Sequence, residues 1–537
     1  MFMSKDTKVK SGPLSHKEIM TILSGLMVGM LLAALDQTIV STALKTIVVD
    51  LHGLNHYTWV VTAYLLTSTA STPLYGKISD LYGRRPVFQF AIITFLIGSF
   101  AAGAAQTMNQ LIIFRALQGL GAGGLMSLTF VIIGDIVSPR ERGRYQGYFG
   151  AVWGLSSVAG PLLGGFFSDH HHLLGTAGWR WIFYINLPFG IAALIITSAS
   201  LHIAKVRREH KIDYLGALLM VTGVSALLLA ISVYGPQNGW TDSKTIISFV
   251  AAAILTVAFC FQELRAPEPV LPLRLFKDHT VSLTSVMAFI IGAGMFGAIV
   301  MMPLYLQLVK GNSATISGLK LIPFMLGIVS MSIFSGKMIT KHGHYKRYPI
   351  IGLTLMTTGI ALMSLLNETT PFWELAIFAI LVGAGLGFCM QTIVIALQNA
   401  VEFKDMGVAT SANTFFRSVG ATIGVAIFGT IYANSLGRYL PSGIKALAAS
   451  KPQALAGFTP ALSNQIQGNP ALLSKVSPEL KATFLHSYVQ AFHIVFYAAA
   501  PITFVGLLLA FTLRETPLRT GAQHHAAKEE AAGEAMA

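Results

Sequence analysis

Apolar residues dominate this chain in runs long enough to cross a lipid bilayer. A bilayer core of about 30 Å needs about 20 apolar residues in an α-helix. The pattern therefore predicts an all-α polytopic membrane protein with 14 transmembrane helices, and an even number places both termini on one side. The predicted spans are residues 18–41, 57–75, 86–105, 110–137, 146–167, 181–203, 214–234, 245–264, 280–308, 315–338, 348–366, 372–398, 408–434 and 487–513.

Composition supports this prediction. Of the 537 residues, 53% are hydrophobic and only 11% are charged, whereas a soluble protein carries about 25% charged residues. The two cysteines, Cys260 and Cys389, both lie in apolar runs, which argues against a disulfide framework or a thiolate metal site. Lipid, and not water, is expected to face most of the outer surface.

The positive charges indicate orientation. The net charge is +14, and 25 of the 37 lysines and arginines fall in segments on the side of the termini. Basic residues accumulate on the cytoplasmic side of membrane proteins. We therefore expect a multi-pass protein of the cytoplasmic membrane with both termini in the cytoplasm, and no nucleic-acid partner. The polar start lacks a cleavable signal pattern, so the first span is predicted to be retained.

A short motif occurs twice, once after the second span and once after the tenth. The copies contain Gly76, Lys77 and Gly83, and Gly336, Lys337 and Gly343. Two unrelated loops are the alternative, but the repeat favours two six-helix units with two inserted helices, a 6+2+6 arrangement. The predicted parts are a cytoplasmic tail (1–17), an N-terminal six-helix bundle (18–204), a linker with two inserted helices (205–279), a C-terminal six-helix bundle (280–513) with an extracytoplasmic insert at 435–486, and a cytoplasmic tail (514–537).

Charged residues inside the spans are the first candidates for function, because burying a charge in lipid is costly. Asp36 lies within the first span and Arg115 within the fourth. A carboxylate at that depth must be protonated, hydrated or paired, as in a proton carrier. We expect Arg115 to partner Asp36 directly or through Gln118. A structural ion pair away from any transport path is the alternative.

The C-terminal half contributes bases to its spans. Lys320 and Arg417 are its expected buried bases, and Asn413 lies one helical turn before Arg417. Asp36 is the one acid that the sequence places clearly at depth. An exporter devoted to organic cations is expected to have more buried acids, so the sequence does not favour cationic substrates alone.

The fifth span combines small residues with a proline. Gly154, Gly160 and Gly164 allow close helix packing, and Pro161 favours a kink. Tight packing alone and a flexible seam between bundles are both compatible with this pattern.

Other chemistries find little support. The chain has no GxxxxGK[ST] phosphate loop and no nucleophile–base pair, so we predict neither an ATP-driven pump nor an enzyme. Three adjacent histidines at 170–172 are interpreted as incidental, and no metal site is predicted.

Together these motifs resemble the major facilitator superfamily, and within it the fourteen-span drug:proton antiporters of the QacA/EmrB type. The resemblance covers nearly the whole chain. Residues 76–86 are similar to the loop between spans 2 and 3, and residues 179–188 to a signature of the fourteen-span group. Lys45 and the pair Thr340-Lys341, where the second loop lacks an aspartate, depart from the family pattern.

The resemblance implies roles for individual residues. Asp36 and Arg115 would couple proton movement, and residues 154–165 match a motif that favours export over uptake. Gating is implied for Gly76, Asp80, Gly83, Arg84, Arg85, Gly154, Gly160, Pro161 and Gly164. We choose cavity candidates as polar or aromatic residues within spans: Tyr64, Gln118, Trp153, Asn186, Tyr305, Gln307, Lys320, Gln391, Asn413 and Arg417.

The expected function is proton-coupled antiport that exports lipophilic small molecules, as in multidrug efflux and antibiotic resistance, by alternating access. Its partners would be the lipid bilayer, lipophilic substrates and protons, with no cofactor because the proton gradient supplies the energy. One alternative is a dedicated exporter of a lipid, siderophore or antibiotic metabolite. Another is a non-transporting membrane sensor or scaffold. The sequence leaves open whether an accessory envelope protein takes part.

Overall fold

The computed structural model describes residues 15–51, 57–170, 172–173, 175–201, 213–468 and 470–518. Most of both predicted tails lies outside these ranges, as does the basic segment 202–212. The predictions about the tails and their side of the membrane therefore concern residues that the structure does not describe.

The N-terminal half is a bundle of long helices. Gly83, with φ of +95°, forms the tight turn between the second and third helices, a conformation that a residue without a Cβ adopts readily. A two-residue β-hairpin (β1 His172–Leu173, β2 Thr176–Ala177) and a 3-10 turn lead into the last helices of this half. The helices are α1 (His16–Asp50), α2 (Tyr57–Tyr82), α3 (Arg84–Ala104), α4 (Met108–Ile136), α5 (Pro139–Asp169), α6 (Trp181–Tyr184) and α7 (Asn186–Ser200).

Two further helical segments follow at the place predicted for the inserted pair. The first runs from α8 (Tyr214–Leu229) through a π-helical turn (Ala230–Tyr234) into α9 (Gly235–Asn238). The second is α10 (Ser243–Arg265), which packs against α8. A π-turn inside a helix often marks a functional position.

The C-terminal half repeats the long-helix pattern. Its helices are α11 (His279–Leu308), α12 (Ala314–Leu319), α13 (Ile322–His342), α14 (Arg347–Met363), α15 (Phe372–Ala400), α16 (Met406–Ser450), α17 (Pro460–Gly468) and α18 (Pro478–Thr512).

The two halves meet along two pairs of helices. The second span of the N-terminal half, α2, packs against α16, and the fifth, α5, packs against α13. In the repeat, α13 corresponds to α2 and α16 to α5. The contacts therefore join α2 and α5 of the N-terminal half to α16 and α13 of the C-terminal half.

Helices cover all the predicted spans, but not all of them qualify as membrane spans by length and apolarity. Among the described residues, twelve helices do. The exceptions are α2, which is rich in serine and threonine, and α14, which has 17 residues. The structure thus supports a helical protein with about twelve apolar, membrane-length helices.

The segment at 435–486, predicted as an extracytoplasmic insert, is largely helical. The helix of the thirteenth span does not end at residue 434 but continues to Ser450, giving α16 45 residues. At 1.5 Å per residue it is about 68 Å long, more than twice the thickness of a bilayer core. The connection back to α18 packs on the bundle through Ile466 and Leu473, which are buried in the same core cluster as Phe484.

Candidate functional site

A buried polar network joins four helices of the N-terminal bundle around Asp36. Arg115 Nη1 donates to Asp36 Oδ2 at 2.5 Å, and Gln118 Nε2 donates to Asp36 Oδ1 at 2.8 Å. Asn186 Nδ2 donates to the same Oδ1 at 3.2 Å and to Ser99 Oγ at 2.9 Å. Asp36 is 0% exposed and Arg115 1%. The structure therefore places the two charges in direct contact, with Gln118 bridging them through a 2.7 Å bond from Arg115.

The hydrogen bonds to Asp36 indicate how its carboxylate is used in this conformation. Every group that contacts Asp36 is a donor, so the carboxylate acts as an acceptor only, which fits its ionised form. Protonating Asp36 removes the charge that holds Arg115 in place. A buried ion pair is strongly destabilised when one partner loses its charge. The charge of Asp36 is therefore needed to keep the network in this arrangement.

Tyr64 contacts this network and also lines a cavity. The Arg115 guanidinium lies 4.2 Å from the centroid of the Tyr64 ring, and Tyr64 Oη donates to the carbonyl oxygen of Ala33 at 3.1 Å. A cation over an aromatic face is attracted by the ring quadrupole. The ring of Tyr64 also forms part of the wall of a cavity.

The cavity has a volume of about 550 Å³ and lies between the two halves. Such a volume is within the range of small-molecule sites. Its walls come from α1, α2, α4, α5, α11, α16 and the segment α8–α9. Its polar and aromatic lining residues are Gln37, Thr62, Tyr64, Ser68, Thr69, Trp153, Ser232, Trp240, Thr414, Arg417, Ser418, Thr422, Thr430 and Asn434.

The contribution of the inserted pair was not predicted. Leu228, Ser232, Pro236 and Trp240 line the cavity beside α2 and α16. We expected residues 205–279 to be a linker. The signals available in the sequence were the Gly-Pro and Gly-Trp pairs at the end of the seventh span, where the helix changes to a π-turn. Apolar periodicity does not indicate which neighbours a helix will face.

Of the ten predicted cavity residues, three line the cavity: Tyr64, Trp153 and Arg417. Gln118 and Asn186 belong to the Asp36 network behind it. The other five do not contribute to its lining in this conformation.

Two of these five were misplaced relative to the cavity because their partners lie within the C-terminal half. Tyr305 Oη donates to the carbonyl oxygen of Asn367 at 2.7 Å and its ring packs on Phe492. Lys320 is half-buried and follows α12; its Nζ donates to Asn312 Oδ1 at 3.2 Å. The prediction that Lys320 is a buried base was wrong, because the span is broken between α12 and α13 at that residue.

The remaining three also lie away from the cavity. Gln391 accepts a 3.1 Å hydrogen bond from Ser332 between α15 and α13, and Asn413 donates to the carbonyl oxygen of Thr284 at 3.1 Å. Gln307 is half-buried on α11. The amides of Gln391 and Asn413 join helices of the C-terminal bundle.

The loop after α2 forms a charged cluster at one end of the bundles. Arg84 pairs with Asp80 at 2.5 Å and with Asp135 of α4 at 2.5 Å, and it donates to Ser79 Oγ at 2.6 Å. Arg85 follows in the first turn of α3. Burial raises the pKa of the Asp80 carboxyl to about 6, against the opposing effect of Arg84. We did not select Asp135 from the sequence, because it falls at the end of an apolar run.

This cluster contacts the other half of the molecule. The Asp80 carboxylate lies against Gly407 in the first turn of α16, where a Cβ would collide with it. Helix N-termini favour negative charge. Gly76 also approaches α16 so closely that a Cβ would overlap with Ser411 and with the carbonyl oxygen of Gly407. The loop end of the cleft between the halves is therefore closed by direct contact.

A second closing contact was not predicted. Arg142 of α5 donates to Gln398 Oε1 of α15 at 2.9 Å, and Gln398 Nε2 donates to the carbonyl oxygen of Phe130 at 3.2 Å. Both Arg142 and Gln398 are buried. An arginine near a predicted loop gave no indication of this partner, which is 256 residues away.

The glycines of α5 serve two interfaces. Gly160 and Gly164 pack on α1, against Thr38 and Ile39. Gly154 packs on Val329 of α13 in the other half.

Pro161 belongs to the second of these interfaces, since it contacts the position of Gly318 on α12. α5 is thus packed closely on both sides, as a seam between the bundles requires.

Comparison with known proteins identifies the family. The model of the Major Facilitator Superfamily matches residues 26–425. The chain belongs to the major facilitator superfamily. Within the described ranges of this major facilitator, no group of three His, Cys, Asp or Glu side chains is placed to share a metal ion.

Relatives and a solved structure agree with this assignment. The multidrug transporter protein MdtP of Bacillus subtilis is 36% identical over 540 residues, covering 97% of this chain and 98% of that protein. The efflux pump FUS6 of Gibberella moniliformis is 33% identical, covering 91% and 86%. The structure of the proton:xylose symporter XylE superimposes with a TM-score of 0.59 at 13% identity, covering 96% and 99%. This major facilitator is a membrane transporter and not an enzyme.

Proposed function

We propose that this major facilitator is a proton-coupled antiporter that exports lipophilic small molecules by alternating access. The observation that carries the proposal is the Asp36–Arg115 pair, buried beside the central cavity and joined to it by the ring of Tyr64. Coupling requires that two ligands, here the proton and the exported molecule, bias the same structural element. A proton-binding pair next to a substrate-sized cavity meets this requirement.

The arrangement of the halves supports an outward-facing state. The cleft is closed at the loop end through Gly76, Asp80 and Arg142, while the cavity lies in the opposite half of the spans. The excess of lysine and arginine on the loop side supports a cytoplasmic position for that end. We therefore propose a location in the cytoplasmic membrane with both termini inside.

We also propose that α2 and α14 cross the membrane, which gives 14 spans. α2 packs along α4, and α14 packs along α15, each beside a helix of membrane length. Serine and threonine residues in α2 face the central cleft, where they need no contact with lipid. This gives the 6+2+6 arrangement expected from the repeat.

A proton cycle follows from the network. A proton arriving from outside neutralises Asp36 and releases Arg115 from its bond. Gln118 and Asn186 keep the neutral carboxyl in place. The changed position of Arg115 moves Tyr64 and the cavity wall, which favours opening of the loop end. Release of the proton to the cytoplasm restores the ion pair as the next substrate molecule enters.

The cavity lining and the relatives' names both favour export of apolar molecules. Most of the lining is aliphatic or aromatic, including Leu44, Leu65, Met126 and Val425. MdtP is named a multidrug transporter and FUS6 an efflux pump. Apolar walls with few fixed polar contacts accept molecules of different shapes. This property suits multidrug efflux better than the export of a single dedicated metabolite.

Flux measurements in proteoliposomes test this function. Export of a panel of fluorescent lipophiles is followed under an imposed pH gradient, for the wild type and for Asp36→Asn. We expect gradient-driven flux of several compounds in the wild type and none in the variant, which keeps the shape of the side chain but cannot carry the proton. Asp50→Asn is the matched control, because Asp50 is on the same helix but bonds to Trp179, 2.8 Å away, outside the network.

Each other outcome has a defined meaning. Normal gradient-driven flux in Asp36→Asn would reject Asp36 as the proton site. Flux of one compound class alone would favour a dedicated exporter. Equal flux with and without the gradient would reject proton coupling.

A further inference from the structure

The central cavity has an uneven charge. Arg417 is the one charged residue among the described residues that line it, and no aspartate or glutamate is among them. A cation that enters this space meets a positive charge without a compensating acid, whereas an anion meets a partner.

Arg417 is not neutralised by the protein around it. Its guanidinium lies 5.4 Å from the centroid of the Phe130 ring. No carboxylate in the described part of the chain forms an ion pair with it. Arg417 is half-buried, as Lys320 is, so neither is the buried base that the sequence predicted. The partly dehydrated guanidinium of Arg417 is stabilised when an acceptor replaces the lost water.

A second donor belongs to a side chain that lines the same cavity. Nε1 of Trp153 is buried and has no hydrogen-bond partner among the described residues, and Trp153 lines the cavity. Buried donors normally find an acceptor. Arg417, which has no carboxylate partner in the described part of the chain, and the unpartnered Nε1 of Trp153 therefore point to a ligand that brings acceptor atoms.

Asp36 does not supply the acid that a cationic substrate in this cavity needs. Its two carboxylate oxygens are occupied by Arg115, Gln118 and Asn186, and Tyr64 stands between Arg115 and the cavity. The one deep acid of the N-terminal half is therefore already compensated, and none of its charge is left for a cationic substrate.

We propose that the substrates of this transporter are lipophilic anions, whose carboxylate, sulfonate or phosphate group binds Arg417 and Trp153. The apolar body of the molecule lies along the aliphatic lining from α2 and α16. That these ligands are transported rests on the proposed function, but their binding to the cavity does not.

Equilibrium binding without any ion gradient tests the proposal. The full-length protein in detergent is titrated with a dansylated fatty acid, its methyl ester and a dansylated alkylammonium of the same chain length. Energy transfer from Trp153 and Trp240, which both line the cavity, reports occupancy. We expect the acid to bind the wild type more tightly than either of the other two probes.

Variants at Arg417 assign the contact. Losing a hydrogen bond to a charged group costs about tenfold or more in affinity, so Arg417→Gln is expected to weaken binding of the acid at least that much. Binding of the ester should change little, which also shows that the variant is folded. Arg417→Lys should retain most of the affinity for the acid, since it keeps the charge.

Two glycines of α16 provide a matched pair that locates the site. Gly429 lines the central cavity, whereas Gly437 lines a separate outer cavity, and a Cβ at either position meets no atom within 4 Å. Gly429→Leu fills the central cavity and should weaken binding of the acid, whereas Gly437→Leu should not. Equal losses in both variants would overturn the central assignment.

The remaining outcomes are equally decisive. Tighter binding of the alkylammonium, no binding of the acid by the wild type, or unchanged binding of the acid in Arg417→Gln would each overturn the proposal. Binding that persists while gradient-driven flux is absent in the wild type would reject the proposed antiport and leave the ligand class standing.

Discussion

The guanidinium of Arg115 lies 4.2 Å from the centroid of the Tyr64 ring, and the same ring forms part of the cavity wall. One side chain thus separates a buried ion pair from the space where a substrate fits. A displacement of Arg115 therefore changes the contact that supports the Tyr64 ring. Under the proposed function, this contact is a direct structural route between the proton site and the substrate site.

Tyr64 variants test this route. Tyr64→Phe keeps the ring over Arg115 and loses only the bond to the carbonyl oxygen of Ala33, so we expect flux to change by no more than about threefold. Tyr64→Ala removes the stacking and should lower gradient-driven flux by about tenfold or more. Flux and proton uptake are measured together in proteoliposomes. Equal flux in the two variants would show that the ring does not transmit coupling.

The ion pair can be tested by thermal unfolding of the purified protein. Arg115→Gln leaves a buried carboxylate without its charge partner, which costs about 3–5 kcal/mol. Adding Asp36→Asn removes that unpaired charge and should recover most of the loss. The coupling free energy from the double-mutant cycle separates this pair from general packing. Additive losses would contradict the direct contact.

Close approach at Gly76 predicts a gating defect. Gly76→Ala places a Cβ against Ser411 and the carbonyl oxygen of Gly407, so the loop end should not close fully. Distances between spin labels at Tyr82→Cys and Lys404→Cys, two exposed sites on opposite halves, report closure. We expect a broader, longer distance distribution in the variant. Gly429→Ala, where a Cβ meets no atom, is the control and should leave the distances unchanged.

Asp80 predicts a pH dependence of closure. Burial raises its pKa to about 6 in the closed state, above the ordinary value of about 3.9. A raised acid pKa means that the closed state binds the proton more tightly. The protonated Asp80 carboxyl therefore stabilises the closed state fully below about pH 4, and this stabilisation is lost as the pH rises through 6. Asp80→Asn should abolish this dependence of the spin-label distances, and a dependence that survives in the variant would assign it to another group.

The charge of the substrate predicts a response to membrane potential. An anion that leaves while a proton enters moves two positive charges inward, each worth about 2.3 kcal/mol per 100 mV. Export of a dansylated fatty acid should therefore rise strongly with an inside-negative potential set by potassium and valinomycin. Export of its methyl ester should respond less, since it carries no charge. Equal responses would contradict the movement of an anion.

Much of the fold follows from the sequence alone, because hydropathy and helical rise are local properties. A run of about 20 apolar residues has few options in lipid other than a helix, and all the predicted runs are helical. The resemblance to the major facilitator superfamily is confirmed as well. Asp36 and Arg115 stood out because a charge inside such a run is costly wherever its partner lies.

Contacts between helices could not be predicted from these local properties of the sequence. Arg84 with Asp135, Arg142 with Gln398, and the cavity wall from residues 228–240 each depend on which face a helix turns toward its neighbour. Lys320 was misplaced for the same reason, since a break between two helices leaves it half-buried and bonded to Asn312, away from the cavity. The sequence determined which segments are helices and which charges need a partner. The tertiary structure decided the partners, because rotation and register are set only when all the helices pack together.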